Sequence, residues 1–368
     1  MKKHIFPLVL VAVLVMALTS CSEKSDAPTS TGSTADSISS KPTDSSSSVD
    51  LESTPIEEFE YQYDPETQGI MIVKYVGSSI KVRIPEIIED ESVTCIGDRA
   101  FRDSNTMSVD IPNTVKKIGV LAFSGCTGLT SIIIPDSVTE IGREAFYECT
   151  GLADIQIGNG LTELGVGVFG SCTRLATIII PDNVTSIAER AFLKCTGLES
   201  ITIPDSVTTI GENVFEGCTG LTSITIPDSV TSLGWYSFRG CTGLEAVVIG
   251  NGVTELNRTF EDCTGLVNVM IPGSVTMIDM YTFSGCSGLA NITIPDSVTK
   301  IGLDAFQNCT GLTNITIPES VAQIDHYPSK EFYSAAFKGC TNITITYKGT
   351  KYTYENINNL YALFEPVK

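Results

Sequence analysis

Residues 217–230 read Gly-Cys-Thr-Gly-Leu-Thr-Ser-Ile-Thr-Ile-Pro-Asp-Ser-Val, and nearly the same words return along most of the chain. Each return carries one cysteine: Cys126, Cys149, Cys172, Cys195, Cys218, Cys241, Cys263, Cys286, Cys309 and Cys340. The interval is 23 residues, shortened to 22 between Cys241 and Cys263 and lengthened to 31 before Cys340. Ser104 takes the equivalent place in a degenerate earlier unit. A period of this length belongs to architectures in which each unit is one turn of a stack.

The parts of the unit have separate mechanical readings. In Leu221 to Ile226 the inward Ile224 and Ile226 alternate with Thr225, the period of a strand with one buried face. Pro227 has no amide hydrogen and ends that strand, and Pro-Asp-Ser suits a tight turn. Val230 and the apolar residue three places on predict a second short extended piece. Ala145, Phe146 and Cys149 are spaced i, i+1 and i+4, which on one helical turn places all three on the inward face. Gly151 is read as a left-handed cap that returns the chain to the next strand. The predicted fold is a repeat solenoid with parallel strands on one face and short helical turns on the other. Backbone ordering costs about 1–2 kcal/mol per residue, so an isolated unit does not fold and the ends need caps.

The cysteines are read as small buried hydrophobes. Disulfides between stacked thiols fit the spacing of neighbouring strands, but side chains stacked in parallel do not point toward one another. A metal site needs cysteines in close pairs or beside histidines, and these are at least 22 residues apart. Cys95 lies off the ladder, in Val93 to Ile96, and is read as a surface or edge residue.

The ends differ from the repeats. Lys2 and Lys3 precede a 14-residue apolar run, Ile5 to Leu18, followed by Thr19-Ser20-Cys21. This predicts a signal peptide over 1–20. "LTSC" resembles the lipobox of bacterial lipoproteins, which makes Cys21 the lipid attachment site; a plain cleaved signal with an incidental cysteine is the alternative. Residues 22–55 hold 12 Ser and 5 Thr and no aromatic, a composition too polar to fold, so 21–57 is read as a tether reaching on the order of 30 Å. Residues 58–103 are the expected N-terminal cap with a degenerate repeat, 104–341 the solenoid, and 342–368 a C-terminal cap. That cap is a hairpin about Lys348-Gly349 followed by an amphipathic helix carrying Ile357, Leu360, Tyr361 and Phe364.

The formal charge is -20, or -22 once Lys2 and Lys3 are removed. So acidic a chain is unsuited to nucleic acid and to binding anionic lipid through basic patches. No cofactor motif is present. His326 is the only histidine after His4, no nucleophile has a base beside it in the sequence, and an enzyme is not expected.

Ile84 to Phe101, the recurring "IPDSVTxIGxxAFxxCTGL" and the ending "ITYKGTKYTYENINNLY" resemble the BspA-like leucine-rich repeat family of bacterial surface proteins, the type also found in Treponema. The resemblance implies a right-handed solenoid displayed outside the cell. Some members are adhesins for host matrix proteins such as fibronectin or fibrinogen, and no family-wide set of binding residues can be carried over. The glycine after the second isoleucine is replaced by Ala188, Asn257, Asp279 and Asp325; if that position needed a positive φ, Ala188 would be strained most.

Two faces could hold an extracellular protein or glycan. One is the outward strand column Ile133, Gln156, Ile179, Thr202, Thr225, Val248, Met270, Thr293 and Thr316, uncharged and partly apolar; β-branched residues there would also serve sheet formation alone. The other is the start of the turn segment. It is charged in most units but carries Trp235-Tyr236 and Met280-Tyr281 in two of them, with Arg258 between; the alternative there is local packing under the short repeat. The insertion "HYPSKEFY", 326–333, either forms a functional loop or shields the C-terminal end.

Overall fold

In the computed structural model residues 53–327 and 335–364 are described. Signal peptide, Cys21 and nearly all of the tether lie outside them, as do Phe332 and Tyr333. Residues ahead of 58 already pack on the fold. Thr54 is buried, its N–H donates to Arg83 O at 3.0 Å, and its Oγ1 accepts from Arg83 N at 2.8 Å.

The repeats form a β-solenoid. Ser223–Ile226 alternates exposed and buried residues and pairs in parallel with Ala246–Ile249, which pairs with Asn268–Met270. In register, Thr225, Val248 and Met270 form one outward row. The second extended piece is a strand as well: Thr209–Ile210 pairs in parallel with Ser232–Leu233, one step of a second ladder of two-residue strands. Between the two strands the Pro-Asp-Ser turn does more than reverse the chain. Ser229 Oγ donates to Val207 O of the preceding coil at 2.7 Å, and Ser206, Ser297 and Ser320 repeat the contact.

The third side is not helical. Ala145, Phe146 and Cys149 are buried together as expected, but Glu144 and Glu148 have φ of 56° and 59°, which no α-helix contains. Alternate amides serve different coils. The N–H groups of Ala145, Tyr147 and Cys149 donate three residues back, while those of Glu144, Phe146 and Glu148 donate to Val166, Val168 and Gly170 of the next coil. A helix would send every N–H along its own axis and leave orphans at both ends. The stacked turn pairs them sideways instead.

This arrangement moves the left-handed positions. Gly151 is not among the residues with positive φ; the residue before each cysteine is, as at Glu148, Ser171, Lys194 and Gly217. Gly151 is glycine because a Cβ there would stand 2.3 Å from Thr127 O of the coil before. The position after the second isoleucine has no positive φ either, so Ala188 carries no such strain.

Inside, Tyr75 and eleven phenylalanines from Phe101 to Phe337 stack in one column, with neighbouring centroids 4.9–5.7 Å apart. Such spacing is within the range of offset aromatic pairs. The ten ladder cysteines are free and buried beside it. Their thiols are also donors: Cys149 Sγ lies 3.1 Å from Phe123 O, and Cys218 Sγ 3.1 Å from Phe192 O, each in the coil before.

Cys95 is buried, not at a surface or edge. Its strand, Glu91–Ile96, is flanked by Gly69–Tyr75 and Lys117–Ile118, and the antiparallel Phe59–Asp64 covers the end of that sheet. The other terminus closes the first sheet in the same manner. Thr344–Tyr347 continues it, Thr350–Thr353 turns back antiparallel, and the helix Ile357–Tyr361 buries Ile357, Leu360 and Tyr361. Each cap thus ends its sheet with a hairpin.

Candidate binding surfaces

The outward strand column is exposed throughout. Its apolar members stand well out, Ile179 at 83 %, Met270 at 67 %, Ile133 at 59 % and Val248 at 42 % of their full exposure. Two shallow hollows lie along it. One, about 470 Å³, is lined by Thr225, Val248, Met270, Pro227 and Pro272. The other, about 590 Å³, is lined by Met270, Asn291, Thr293, Asn314 and Thr316. At the second, 291–294 forms no strand, so the sheet is interrupted between Asn268–Met270 and Asn314–Ile317.

The turn face brings Tyr236, Arg258 and Tyr281 together from three consecutive coils. The Arg258 guanidinium lies 4.3 Å from the Tyr281 ring centroid and 5.4 Å from that of Tyr236. It donates to Tyr236 Oη at 2.8 Å and lies 3.4 Å from Met280 Sδ. Arg239 lies 5.4 Å from the Tyr236 ring centroid. The two cations are matched by two carboxylates: Glu261 is 3.7 Å from Arg239 and 3.8 Å from Arg258, and Glu216 is 3.5 Å from Arg239. Burial pushes the Glu261 carboxyl up against the pull of Arg239 and Arg258, and burial with the nearby Asp304 raises Tyr281. Arg258 and the two tyrosines are therefore committed to one another. Trp235 is half-exposed and donates no side-chain hydrogen bond among the described residues.

Arg239, Glu216 and Glu261 escaped sequence reading because the position they share, two before the cysteine, holds residues as different as Tyr147, Gly170 and Leu193 in other coils, and only stacking brings the three charges together. The arginine sandwich had one signal in the sequence, the alternation of aromatic, arginine and aromatic over three units.

His326 is buried, stacks on Tyr361 of the C-terminal helix with centroids 5.4 Å apart, and its Nδ1 lies 3.1 Å from Ile324 O. This end of the insertion thus packs on the cap. Among the described residues no group of His, Cys, Asp and Glu could hold a metal ion, and no helix is long and apolar enough to cross a membrane.

Comparison with known proteins agrees with this geometry. A leucine-rich repeat protein from Bacteroides ovatus is 25 % identical with a TM-score of 0.56, over 86 % of this chain and all of that one. The pneumococcal vaccine antigen PcpA is 20 % identical with a TM-score of 0.53, over 74 % of this chain and 69 % of that one. A leucine rich cell surface protein from Faecalibacterium prausnitzii is 28 % identical with a TM-score of 0.49, over 83 % and 97 %. A search of curated proteins returns no match. Residues 94–222 and 209–344 match the BspA type leucine rich repeat region in six copies, and the chain belongs to that family.

Proposed function

We propose that this chain is a lipid-anchored bacterial surface protein whose solenoid binds an extracellular protein or glycan, with adhesion to host matrix as the leading use. The observation that carries the reading is the outward strand column. Ile133, Ile179, Val248 and Met270 are large, apolar and exposed in one file, on the face whose intervening residues are uncharged. Repeat solenoids use extended faces of this type for binding. Anchoring rests on the apolar run and "LTSC" before the Ser/Thr-rich segment, with acyl chains on Cys21 contributing about 0.8 kcal/mol per buried methylene. Trp235, Tyr236, Arg258, Met280 and Tyr281 offer a second contact zone, in which only Trp235 presents a largely exposed aromatic side chain.

Immobilised solenoid, residues 53–368, should retain specific matrix proteins or glycans from an extracellular-matrix extract. A variant carrying Ile133→Lys, Ile179→Lys, Val248→Lys and Met270→Lys should lose them while melting at the same temperature. Equal capture by both proteins would move the binding role off the strand face, and none by either would favour the second reading, a passive display rod whose faces select nothing. For the anchor, cells fed a labelled fatty acid should incorporate it into the native chain and not into Cys21→Ala.

A further inference from the structure

One coil drops out of the first strand ladder. Along this face the residue ahead of each strand donates its N–H to its counterpart one coil back: Thr222 to Glu199, Glu245 to Thr222 and Val267 to Glu245. The rungs from Ala290 and Thr313 are missing, and Thr344 resumes the series by donating to Thr313 O. Among the described residues no backbone N–H or C=O of 290–294 takes part in a backbone hydrogen bond. The sheet also breaks on either side of Thr177–Ile179 and Ser200–Thr202, yet those two strands pair with each other, whereas 291–294 has a partner on neither side.

The opening is confined to this face. Ile292 and Ile294 remain buried, and Phe283 and Phe306 stack with centroids 5.4 Å apart. In the second ladder Lys300–Ile301 pairs with both Met277–Ile278 and Gln323–Ile324. The coil therefore keeps its place in the core while its outer backbone is released. The hollow of about 590 Å³ lies over that backbone, reaching inward Val269, Ile292 and Ile315 as well as the outward residues. Backbone groups left without a protein partner are satisfied by water or by a ligand.

A row of amides borders the same hollow. Asn268, Asn291 and Asn314 hold one position in three consecutive coils, where Ser131, Ser200 and Ser223 stand elsewhere, and all three are exposed. Asn314 Nδ2 donates to Thr313 Oγ1 at 3.2 Å; the side chains of Asn268 and Asn291 make no hydrogen bond among the described residues. Asp296 is the one charged residue of the lining.

We infer that this hollow is a subsite for a neutral oligosaccharide. The inference rests on the binding role proposed above and adds a ligand class to it. The asparagine amides, the Thr293 and Thr316 hydroxyls and the released backbone offer donors and acceptors side by side, and a sugar hydroxyl serves as both. Met270 adds an exposed apolar wall for the C–H side of a ring. Apolar surface with a few placed polar groups, in a volume of about 300–1,000 Å³, is the usual make-up of small-ligand sites. A peptide crossing the coils fits less well, because its like-facing groups recur every ~6.6 Å while neighbouring strands lie ~4.8 Å apart.

Backbone hydrogen exchange on the mature full-length chain tests both the opening and its occupant. In the free protein the amides of 291–294 should exchange at least a hundredfold faster than those of Ser223–Ile226. Cellohexaose, chitohexaose and mannohexaose should then be added in turn, with binding followed by calorimetry. At least one should bind saturably and slow exchange at 291–294 at least threefold. A variant carrying Asn268→Ala, Asn291→Ala and Asn314→Ala should bind that sugar at least tenfold more weakly with an unchanged melting temperature. Equal protection of the two segments in the free protein, no saturable binding of any of the three sugars, or equal binding by the variant would overturn the inference. Protection of 291–294 by a matrix protein and by none of the sugars would overturn it in favour of a peptide. Retained capture of matrix components on the strand face alongside such a failure would remove the sugar subsite alone; loss of both would remove the wider reading.

Discussion

Single thiols show how much a residue's environment alters its chemistry. Burial pushes Cys95, Cys126 and Cys195 up to about 12 from an ordinary value of 9.0. Below pH 9 the thiol is neutral whether folded or unfolded, and stability is fully present. Above it the unfolded chain ionises first, so stability is lost as pH rises toward 12, by about 1.4 kcal/mol per buried thiol at pH 10. The midpoint of denaturant unfolding should therefore fall steeply between pH 9 and 11, and a variant with Cys126 and Cys195 both changed to Ala should show a shallower fall. At pH 8 the ladder thiols should react with a disulfide reagent no faster than the solenoid opens. Fast labelling of most of them would contradict the stack. Cys218→Ala removes both a filled volume and the bond to Phe192 O, and should cost about 1–3 kcal/mol in denaturant titration.

At the scale of one coil, glycine acts in two different ways. Gly151 is required by distance, since its Cβ would meet backbone at 2.3 Å. Gly217 is required, if at all, by φ, which is 73°, and the nearest atom to its Cβ is the flexible Lys194 Cγ at 3.3 Å. Gly151→Ala should accordingly destabilise by about 2 kcal/mol or more, and Gly217→Asn, a residue found at the same position as Asn308, by less than about 1 kcal/mol. Similar losses in thermal unfolding would contradict this division. The strands, their inward isoleucines and the Ala-Phe-x-x-Cys burial were legible in the sequence because apolar period alone decides which side faces in. The turn ladder was not. Spacings of one and four residues fit a helical turn and a pair of stacked tight turns equally, and only the neighbouring coil's carbonyls distinguish them.

For the molecule, stability is spread along a column instead of gathered in one centre. Phe215→Ala opens the stack between Phe192 and Phe238 and should cost about 3–5 kcal/mol, with hydrogen exchange rising in the coils on either side first. Deleting 342–368 removes the hairpin and helix that close the first sheet. Because each coil is stabilised only by its neighbours, exchange should then increase in a gradient from Cys309 toward the middle, leaving the coils near Cys126 protected. Uniform loss of protection would mean that the solenoid unfolds as one block.

The sequence alone determined the period, the inward residues and the family, because repetition records the stacking rule directly in the order of residues. Tertiary structure decided what no single unit contains: which carbonyl each amide and thiol reaches, why Gly151 must be glycine, and that Cys95 is covered. Each of these depends on an atom about 23 residues away along the chain yet in contact across the stack, a distance over which local propensity carries no information.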